Sequence, residues 1–563
     1  MSGSSLDGSQ ARLPMYATAV AIWLGRQFNP GADLFDFLAV SRWMSIIMTV
    51  AAIWGTCWLG RRLFTPVTGL LAAGLFTFSP FVLHFGKDAL TQGDAFAPPL
   101  VVFTLAAFLR FSSTRRLVWH AAFSIILGLT IAVKFFLVIL IPPLVIYFYL
   151  IEKDHPEEAG ERSGISEAGE TGRPRYHWYL GAAGAAGLTS LMAVLLSLLR
   201  LSLPDPISDA MRLAALGFWA AALISLMVSV ILAVREAWSG RQSHQAVPVW
   251  RQWVIWGSAI SIAFAVTMSL FPSHTFNRFI LPTLFERFGF IGGGAGLLEE
   301  TLPSLRLYLG ILLLKLGLPL GIATLIALAW GAINARRSRG LLLITLVLFF
   351  YMALLAVLPL QQPFWLMSVY PLVLLALSEL LRQVYNRFTR PGPRLLFAGG
   401  LLLALGWLLF GLYQVYPNYG YYGYETTGDR WLGGSSKGYR AVVVVTNDGS
   451  TTAIEWLQQN APPGSKVLSY LTDIHLLNYL DQTRQLDFNL VHAAHGTDDD
   501  NSILIRETAD YVVVRPLEDV GGALPLDDTA FIEAFGTDPV YTLTRGRGRY
   551  EMPVIFIFER QNT

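Results

Sequence analysis

The chain has 563 residues, of which 54% are hydrophobic and only 14% are charged, and its mean hydropathy is +0.49. Soluble domains carry about 25% charged residues, so these values exclude an ordinary soluble protein and indicate several membrane spans. The formal net charge of +2 is too small to indicate a nucleic-acid partner. The single cysteine, Cys57, lies in an apolar run and excludes an intrachain disulfide.

The first apolar segment is too short to cross a bilayer. Residues 15–25 read MYATAVAIWLG and form a run of eleven residues between Pro14 and Arg26. About 20 residues are needed for a span, so this segment is expected to be a helix at the membrane interface. Asp7 and Arg12 precede it and are polar candidates for a site on the same side of the membrane.

About twelve apolar runs of near-spanning length follow, which predicts a polytopic α-helical membrane domain over residues 1–417. Lys134 and the pair Pro142-Pro143 leave the boundary between the fourth and fifth runs open. The runs lie at 41–60, 65–86, 92–111, 117–135, 136–152, 178–200, 211–234, 253–272, 305–332, 340–359, 363–381 and 394–416.

Residues 418–563 hold no run of spanning length and are rich in Asp, Gly, Thr and Arg. The segments RAVVVVT, SKVLSYL, DYVVVR and MPVIFIFE predict short strands, and TTAIEWLQQN predicts an amphipathic helix. This pattern is typical of a soluble α/β domain. His492, His495 and the acidic run 498–500 are better explained as a solvated loop than as a cation site, so the domain is assigned no chemistry.

Arginines cluster in alternate loops, and this regularity predicts which loops are cytoplasmic. The opposite loops, the N-terminus and the domain 418–563 are then expected on the outer face of the plasma membrane. Because an outer N-terminus without a leading signal is unusual, we also expect that a first membrane helix is missing from the chain as written. The clusters are Arg61 and Arg62; Arg115 and Arg116; Arg235, Arg241 and Arg251; Arg336, Arg337 and Arg339; and Arg382, Arg387, Arg390 and Arg394.

One outer loop concentrates polar residues between two apolar runs. It reads HFGKDALTQGDAF and contains His84, Lys87, Asp88 and Asp94. Asp94 is expected one turn inside the following helix, and ionisable groups near membrane depth usually serve a site. A lysine suits a phosphate as a point charge, and an aspartate can take a proton or orient a sugar hydroxyl. A plain solvated loop is the alternative explanation.

Other cations on the same predicted face extend this set. Arg42 starts a span, Lys134 lies where two apolar runs meet, and Arg278 stands in the long loop after Pro272. Each cation alone is explained by a long side chain that reaches water from a helix end. A binding site is favoured because all of them lie on the same predicted outer face of the membrane. The candidates for substrate binding are Lys87, His84, Arg12, Arg42, Lys134 and Arg278, and the candidates for catalysis are Asp94, Asp88 and Asp7.

Four stretches resemble the GT-C superfamily of glycosyltransferases, which use polyprenyl-phosphate sugars as donors. The closest resemblance is to its bacterial branch, which contains the dolichyl-phosphate-mannose protein mannosyltransferases and the lipid A aminoarabinose transferases. In that family the four stretches correspond, in chain order, to an interfacial helix, two helices with an acidic polar loop, a lysine-containing turn, and a late helix with a proline. The stretches are 10–28, 41–96, 128–145 and 362–381.

The resemblance implies an inverting sugar transfer on the outer face. A base deprotonates an acceptor hydroxyl, which attacks the anomeric carbon, and the departing lipid phosphate needs positive charge. The implied partners are the polyprenyl-phosphate sugar, a lipid, glycan or protein acceptor, and membrane lipids. No cofactor is predicted, and a divalent cation stays open.

The chain departs from the family in two places. The family carries an acidic residue in its first outer loop, of which only a remnant with Asp7 is present. The late Arg-Tyr motif is absent, and Trp365 and Tyr370 stand near its position. A non-catalytic membrane partner and a transporter or lipid flippase are the alternatives. The missing first helix favours the partner, whereas the lack of a repeat between the two halves speaks against a transporter.

Overall fold

The structure is a computed structural model of the chain. By internal contacts the chain divides into two units, Met1–Leu309 with Ile322–Ala398 and Gly310–Gly321 with Gly399–Thr563. The predicted domain boundary after Pro417 lies outside the described residues and stays a prediction. The structure describes residues 12–28, 34–86, 92–114, 116–153, 249–270, 308–357, 363–416, 450–469, 486–492, 508–514, 529–545 and 552–561, with isolated positions in 183–192 and 224–231 and at 305.

Helices make up the described part of the chain up to residue 415. Short 3₁₀ helices at Phe135–Leu140, Ala335–Arg337 and Pro363–Val369 connect some of them. The α-helices are α1 Arg12–Phe28, α2 Leu34–Leu63, α3 Pro66–Thr77, α4 Pro80–Phe85, α5 Gln92–Thr114, α6 Leu117–Val133, α7 Ile141–Lys153, α8 Val249–Leu270, α9 Leu318–Asn334, α10 Arg339–Val357, α11 Tyr370–Arg387 and α12 Pro391–Val415.

Six of the described helices are long and apolar enough to cross a membrane, which confirms the predicted α-helical polytopic membrane protein. Four shorter apolar helices accompany them, at Pro66–Thr77, Leu117–Val133, Phe136–Leu150 and Val254–Thr267. The predicted spans 178–200 and 211–234 lie largely outside the described residues. The six long segments are Val40–Leu63, Asp94–Thr114, Leu318–Arg337, Arg339–Ala356, Trp365–Arg387 and Pro391–Val415.

Two predicted runs are interrupted, and each interruption has a local cause. The run 65–86 divides into α3 and α4 because Pro80, which lacks an N–H group, is the first residue of α4. The run 305–332 is interrupted before α9 at Gly317, whose φ of 77° is left-handed and is readily adopted only by glycine. Continuous hydrophobicity therefore does not guarantee a continuous helix here.

The helices differ strongly in how much of their surface the protein covers. The membrane windows of α5 and α11 are 78% and 83% buried, whereas the window of α12 is only 17% buried. Large apolar side chains on α2 and α12 are exposed, as expected for surfaces that face lipid. Examples are Trp43, Ile47, Trp54, Leu395, Leu396, Leu402, Leu403, Trp407 and Phe410.

A buried carboxylate connects α3 to α11. Thr68 Oγ1 donates a hydrogen bond of 2.9 Å to Glu379 Oε2, and Gln383 Nε2 donates one of 2.8 Å to Oε1. Arg382 donates to both oxygens, at 2.9 and 2.6 Å. Glu379 is 3% exposed. A buried charge is tolerated when it is paired and hydrogen-bonded, so this group stabilises the helix contact.

The second unit contains a five-stranded sheet of order β2-β1-β3-β5-β4. β1 pairs in parallel with β2 and β3, and β5 pairs antiparallel with β3 and β4. Its apolar core includes Leu468, Val512, Phe531, Phe535 and Phe558. The elements are helices α13 Ser450–Asn460 and α14 Thr529–Phe535, and strands β1 Lys466–Ser469, β2 Asn489–His492, β3 Tyr511–Val514, β4 Tyr541–Arg545 and β5 Met552–Glu559.

This sheet confirms the predicted α/β character of the C-terminal region. The segments SKVLSYL, DYVVVR and MPVIFIFE contain β1, β3 and β5, and TTAIEWLQQN lies within α13. The sequence did not predict β2 and β4, which are the two edge strands. Edge strands lack a neighbour on one side and are not fully apolar. The run of apolar residues that predicts a strand is therefore less distinct in edge strands than in central ones. The segment RAVVVVT, His495 and the run 498–500 lie outside the described residues.

Candidate active site

The first unit contains a buried ion pair between the start of one helix and the end of another. Asp94 lies in the first turn of α5, and Lys134 follows the last residue of α6. Lys134 Nζ contacts Asp94 Oδ1, and the two side chains are only 9% and 3% exposed. Burying either charge alone would be costly, because a buried ion needs a partner to offset its lost hydration. The sequence predicted both residues as site candidates but did not predict that they pair.

The backbone around Lys134 explains why its side chain can reach Asp94. Lys134 adopts an extended conformation, with φ −144° and ψ 111°, between α6 and the 3₁₀ helix 135–140. The sequence left the boundary between the fourth and fifth apolar runs open, and the structure places the break at Lys134. One turn earlier, Thr130 and Thr104 are joined by a hydroxyl contact of 2.8 Å. That contact fixes α6 against α5, so the register of the two helices positions the ion pair.

Aromatic side chains from three segments form a cluster beside the lysine, and one of them, Phe136, contacts it directly. The Phe136 ring centroid lies 5.7 Å from Lys134 Nζ, within the range of a cation–π contact. The Phe136 ring also lies 5.2 Å from the Trp365 ring and 6.1 Å from the Tyr351 ring. Tyr351 Oη donates a hydrogen bond of 2.5 Å to the Trp365 carbonyl oxygen. The late segment 363–369 is thereby held beside the Lys134 turn.

A second polar contact holds the late segment against the helix pair α3 and α4. Tyr370 Oη and Ser79 Oγ lie 3.0 Å apart, and the Phe81 ring packs edge-on against Tyr370 at 5.2 Å. His84 is 4% exposed on α4, and its ring packs on Phe85 at 4.7 Å. Helix α4, which leads directly into the polar loop, is therefore held in place by its packing.

The start of the polar loop is fixed against α2. Thr49 Oγ1 donates a hydrogen bond of 3.2 Å to the Gly86 carbonyl oxygen. A Cβ atom at Gly86 would lie 2.6 Å from Thr49 Oγ1 and 2.7 Å from the Val82 carbonyl oxygen, so only glycine allows this approach. Gly86 is followed directly by Lys87 and Asp88, which lie outside the described residues.

The remaining candidates are distributed as follows. Arg42 is described and exposed on α2. Arg12 is the first residue of α1, but its side chain is not among those described. Asp7 and Arg278 lie outside the described residues. The structure thus brings Asp94 and Lys134 together, and the roles of all the predicted site residues stay predictions.

Sequence reasoning missed Tyr351 and Phe136 as neighbours of the charged pair. Both lie inside apolar runs, where an aromatic residue is expected for packing alone. Trp365 and Tyr370 were noticed only through their position near the family's late motif. A buried tyrosine hydroxyl needs a hydrogen-bond partner. A tyrosine inside a long apolar run therefore indicates a nearby polar group, and this was the one sequence signal for Tyr351.

The described residues do not form a metal site. They contain no group of three or more His, Cys, Asp or Glu side chains arranged to hold an ion. Asp94, the acidic residue at the centre of the candidate site, is already paired with an ammonium group. A divalent cation would have to displace Lys134 or use residues beyond those described, so no step of the chemistry is assigned to a metal.

Two of the solved structures that are similar to this chain come from Archaeoglobus fulgidus. One is the Archaeoglobus fulgidus oligosaccharyltransferase in complex with Zn and sulfate, at 16% identity and a TM-score of 0.37, covering 91% of this chain and 60% of that chain. The other is the oligosaccharyltransferase AglB from Archaeoglobus fulgidus in complex with an inhibitory peptide and a dolichol-phosphate, at 15% identity and a TM-score of 0.41, covering 99% and 69%. The chain thus spans about 60% of the first of these proteins.

Comparison by sequence gives a family match over part of the membrane region. No curated protein matches the chain. Residues 31–159 match the model of the dolichyl-phosphate-mannose-protein mannosyltransferase family. This segment contains Asp94, Lys134 and Phe136, and so most of the buried cluster described above. The match over residues 31–159 confirms the resemblance to the GT-C superfamily, whereas the particular branch stays a prediction.

Proposed function

We propose that this protein is a membrane glycosyltransferase that moves a sugar from a polyprenyl-phosphate donor to an acceptor. The main support for the proposal is the buried Asp94–Lys134 pair. It lies at the start of α5 and the end of α6, inside the segment that matches the family. Such a pair is costly to bury, and intramembrane charges usually mark a functional site. The donor, the acceptor and the orientation are all part of the proposal.

Lys134 is the proposed partner of the donor phosphate. The leaving phosphate gains negative charge as the bond to the sugar breaks, and a positioned cation stabilises that charge. The effect is larger at membrane depth than in water, because the effective dielectric constant is lower. Lys134 is almost fully buried, and Phe136 and Asp94 restrict its side chain. Lys87, five residues before the start of α5 at Gln92, is the proposed second cation.

Asp94 is better suited to position Lys134 than to accept a proton. Its Oδ1 oxygen already contacts Lys134 Nζ and its side chain is only 3% exposed, so an acceptor hydroxyl has little access to it. The sequence alone favoured a proton-accepting or sugar-binding role for Asp94, and the ion pair shifts the proposal. Deprotonation of the acceptor hydroxyl is then assigned to Asp7, the acidic candidate before the first helix, and Asp88 in the polar loop is the alternative base.

An apolar groove along α10 suits the lipid part of the donor. The groove has a volume of about 370 Å³ and lies between α9, α10 and α11. Small residues such as Gly331, Ala353 and Ala356 open it, and Leu348 and Phe349 line it. α10 also carries Tyr351, which is part of the aromatic cluster around Lys134. The groove therefore supports a donor with a long apolar chain.

The acceptor is proposed to be a lipid, glycan or protein on the outer face of the plasma membrane. The support for this side is the sequence pattern, in which the arginine-rich loops alternate with the loop that contains Asp94. The C-terminal domain is proposed to lie on the same outer side.

The decisive experiment separates a catalytic pair from a structural pair. Four versions of the full chain are compared in membranes: wild type, Lys134→Ala, Asp94→Asn, and the exchange Asp94→Lys with Lys134→Asp. Transfer from a panel of polyprenyl-phosphate sugars and thermal stability are both measured. The exchange keeps an ion pair and should recover stability, while transfer should stay about a hundredfold or more below wild type, the size expected for losing an oxyanion-stabilising donor.

Two outcomes would contradict the proposal. If the exchange restores both stability and transfer, the pair only holds the helices together. If the folded wild-type chain transfers no sugar from any donor in the panel, the non-catalytic membrane partner becomes the better explanation. A specific loss of transfer in Lys134→Ala, with stability recovered by the exchange, supports the proposed function.

A further inference from the structure

The first unit contains a cleft flanked by two arginines at the opposite end of its helices from the Asp94–Lys134 pair. The cleft has a volume of about 350 Å³ and is lined by the ends of α2, α5 and α7 and the start of α10. Asp94 lies in the first turn of α5 and Ser112 near its end, about 27 Å apart at 1.5 Å per residue. The cleft is therefore separate from the candidate active site and lies on the side of the arginine-rich loops.

Two arginines from distant parts of the sequence flank this cleft. Arg62 lies in the last turn of α2, and Arg339 is the first residue of α10. Both line the cleft and both are exposed. Among the described residues, no carboxylate oxygen is recorded within 4.0 Å of either guanidinium. The pair thus offers two positive charges to a ligand in the cleft.

A tight backbone contact holds the two arginines on the same cleft. A Cβ atom at Gly340 would lie 2.9 Å from the Leu63 carbonyl oxygen and 2.8 Å from the Phe64 ring. The lack of a side chain at Gly340 lets the start of α10 approach the turn after α2. Arg339 directly precedes Gly340, and Arg62 directly precedes Leu63. The packing of α10 on the turn after α2 therefore brings the two arginines to the same cleft.

The rest of the lining combines a few hydroxyl groups with a larger apolar surface. Tyr147 and Ser112 contribute hydroxyl groups, of which Ser112 Oγ already donates to the Leu109 carbonyl oxygen at 3.0 Å, and Phe148 contributes apolar surface. The Phe148 ring is stacked on the Phe111 ring, with an interplanar angle of 6°, so this floor is rigid. Guanidinium groups bind phosphate in a bidentate manner, and an apolar floor suits the first carbons of an acyl chain.

We propose that this cleft binds the phosphate group of an anionic phospholipid from the leaflet on the arginine-rich side. Basic pockets between membrane helices on the cytoplasmic side are known to take anionic headgroups. Arg62 and Arg339 hold the phosphate, the Tyr147 hydroxyl donates a hydrogen bond to it, and Phe148 contacts the acyl chain. A bound lipid would join α2, α5, α7 and α10 at this end of the bundle.

The experiment measures lipid retention by the purified full chain. The protein in detergent is mixed with phosphatidylglycerol or with phosphatidylcholine of the same acyl chains, and native mass spectrometry counts retained lipids. Inorganic phosphate alone is a separate arm. The test variant is Arg62→Gln with Arg339→Gln, and the matched control is Arg61→Gln with Arg336→Gln, which removes the same charge from exposed positions outside the cleft.

The expected result is specific retention of phosphatidylglycerol by the wild type and by the control. The test variant should retain at least tenfold less. Equal losses in the two variants would show that only general surface charge acts and would overturn the proposal. Binding of inorganic phosphate without retention of phosphatidylglycerol would also overturn it, since the ligand would then be a soluble anion and not a lipid.

Discussion

At the scale of single residues, Asp94 and Lys134 each suit the position that the helices give them. Asp94 lies in the first turn of α5, where the partial positive charge of the helix N-terminus favours a carboxylate. Lys134 lies where α6 has ended, so its side chain is directed by an extended backbone and not by a helix. Removing one partner of a buried pair typically costs about 3–5 kcal/mol. Single substitutions at this pair therefore change stability as well as function.

The polar loop itself leads to a prediction about three residues. Asp94→Asn is expected to lower sugar transfer more than Asp88→Asn, because Asp94 is buried with a charged partner and the sequence places Asp88 in a loop open to water. Lys87→Ala is expected to lower transfer about a hundredfold or more, through the loss of roughly 2.7–4 kcal/mol of transition-state stabilisation. Transfer is measured in membranes, with expression and thermal stability as controls.

This prediction has a clear failing outcome. Near-normal transfer by a stable Lys87→Ala variant would show that the loop is solvated and has no part in the reaction. An Asp88→Asn variant that is less active than Asp94→Asn would instead identify Asp88 as the base that deprotonates the acceptor hydroxyl.

At the scale of secondary-structure elements, the contact between α2 and α3 depends on glycine. A Cβ atom at Gly69 would lie 2.3 Å from the Cys57 carbonyl oxygen and 2.8 Å from the Arg61 backbone nitrogen. These are backbone atoms and cannot rotate away. A Cβ atom at Gly74, on the same helix, would meet nothing within 4 Å. Small residues commonly let membrane helices approach this closely.

The two glycines of α3 provide a matched pair of substitutions. Gly69→Ala is expected to destabilise the protein by about 1–3 kcal/mol, because the added methyl group forces α2 and α3 apart. Gly74→Ala should leave stability unchanged or raise it by roughly 0.5–1 kcal/mol, since alanine is the better helix former. Thermal unfolding of the two variants in the same detergent measures the difference. Similar losses in both would mean that α3 does not tolerate any added volume.

At the scale of the whole molecule, the distribution of arginine predicts orientation, and the structure provides suitable positions to test it. Arg337 is exposed at the 3₁₀ helix that precedes α10, and Gln459 is exposed near the end of α13. The chain has one cysteine, so Cys57→Ser supplies a background without thiols. Cysteines at positions 337 and 459 would then report the two sides of the membrane separately.

We expect Gln459→Cys to react with a membrane-impermeant maleimide in intact spheroplasts. Arg337→Cys should react only after the membrane is permeabilised, because positively charged loops are retained in the cytoplasm. The reverse pattern would place the C-terminal domain inside. It would also move the proposed sugar transfer to the cytoplasmic face.

The sequence by itself determined the class of this protein and much of its element order. Low charge and long apolar runs are sufficient to predict a polytopic membrane protein, because crossing a bilayer is a local requirement on about 20 neighbouring residues. Lys134 and the pair Pro142-Pro143 signalled a break in the apolar sequence for the same local reason, but they left open which of them ends the helix. Strands β1, β3 and β5 were predicted because buried strands are continuously apolar. The GT-C resemblance likewise rested on the order of such segments.

Only the tertiary structure decided which side chains meet. Asp94 and Lys134 are 40 residues apart, and their contact depends on the register between α5 and α6. The Tyr351 and Trp365 contacts require α10 and the 3₁₀ helix 363–369 to pack beside the Lys134 turn. The cleft between Arg62 and Arg339 depends on the close approach at Gly340. Hydropathy is a property of residues that are adjacent in sequence. These contacts instead depend on where helices break and on how distant segments pack, so a local sequence pattern does not predict them.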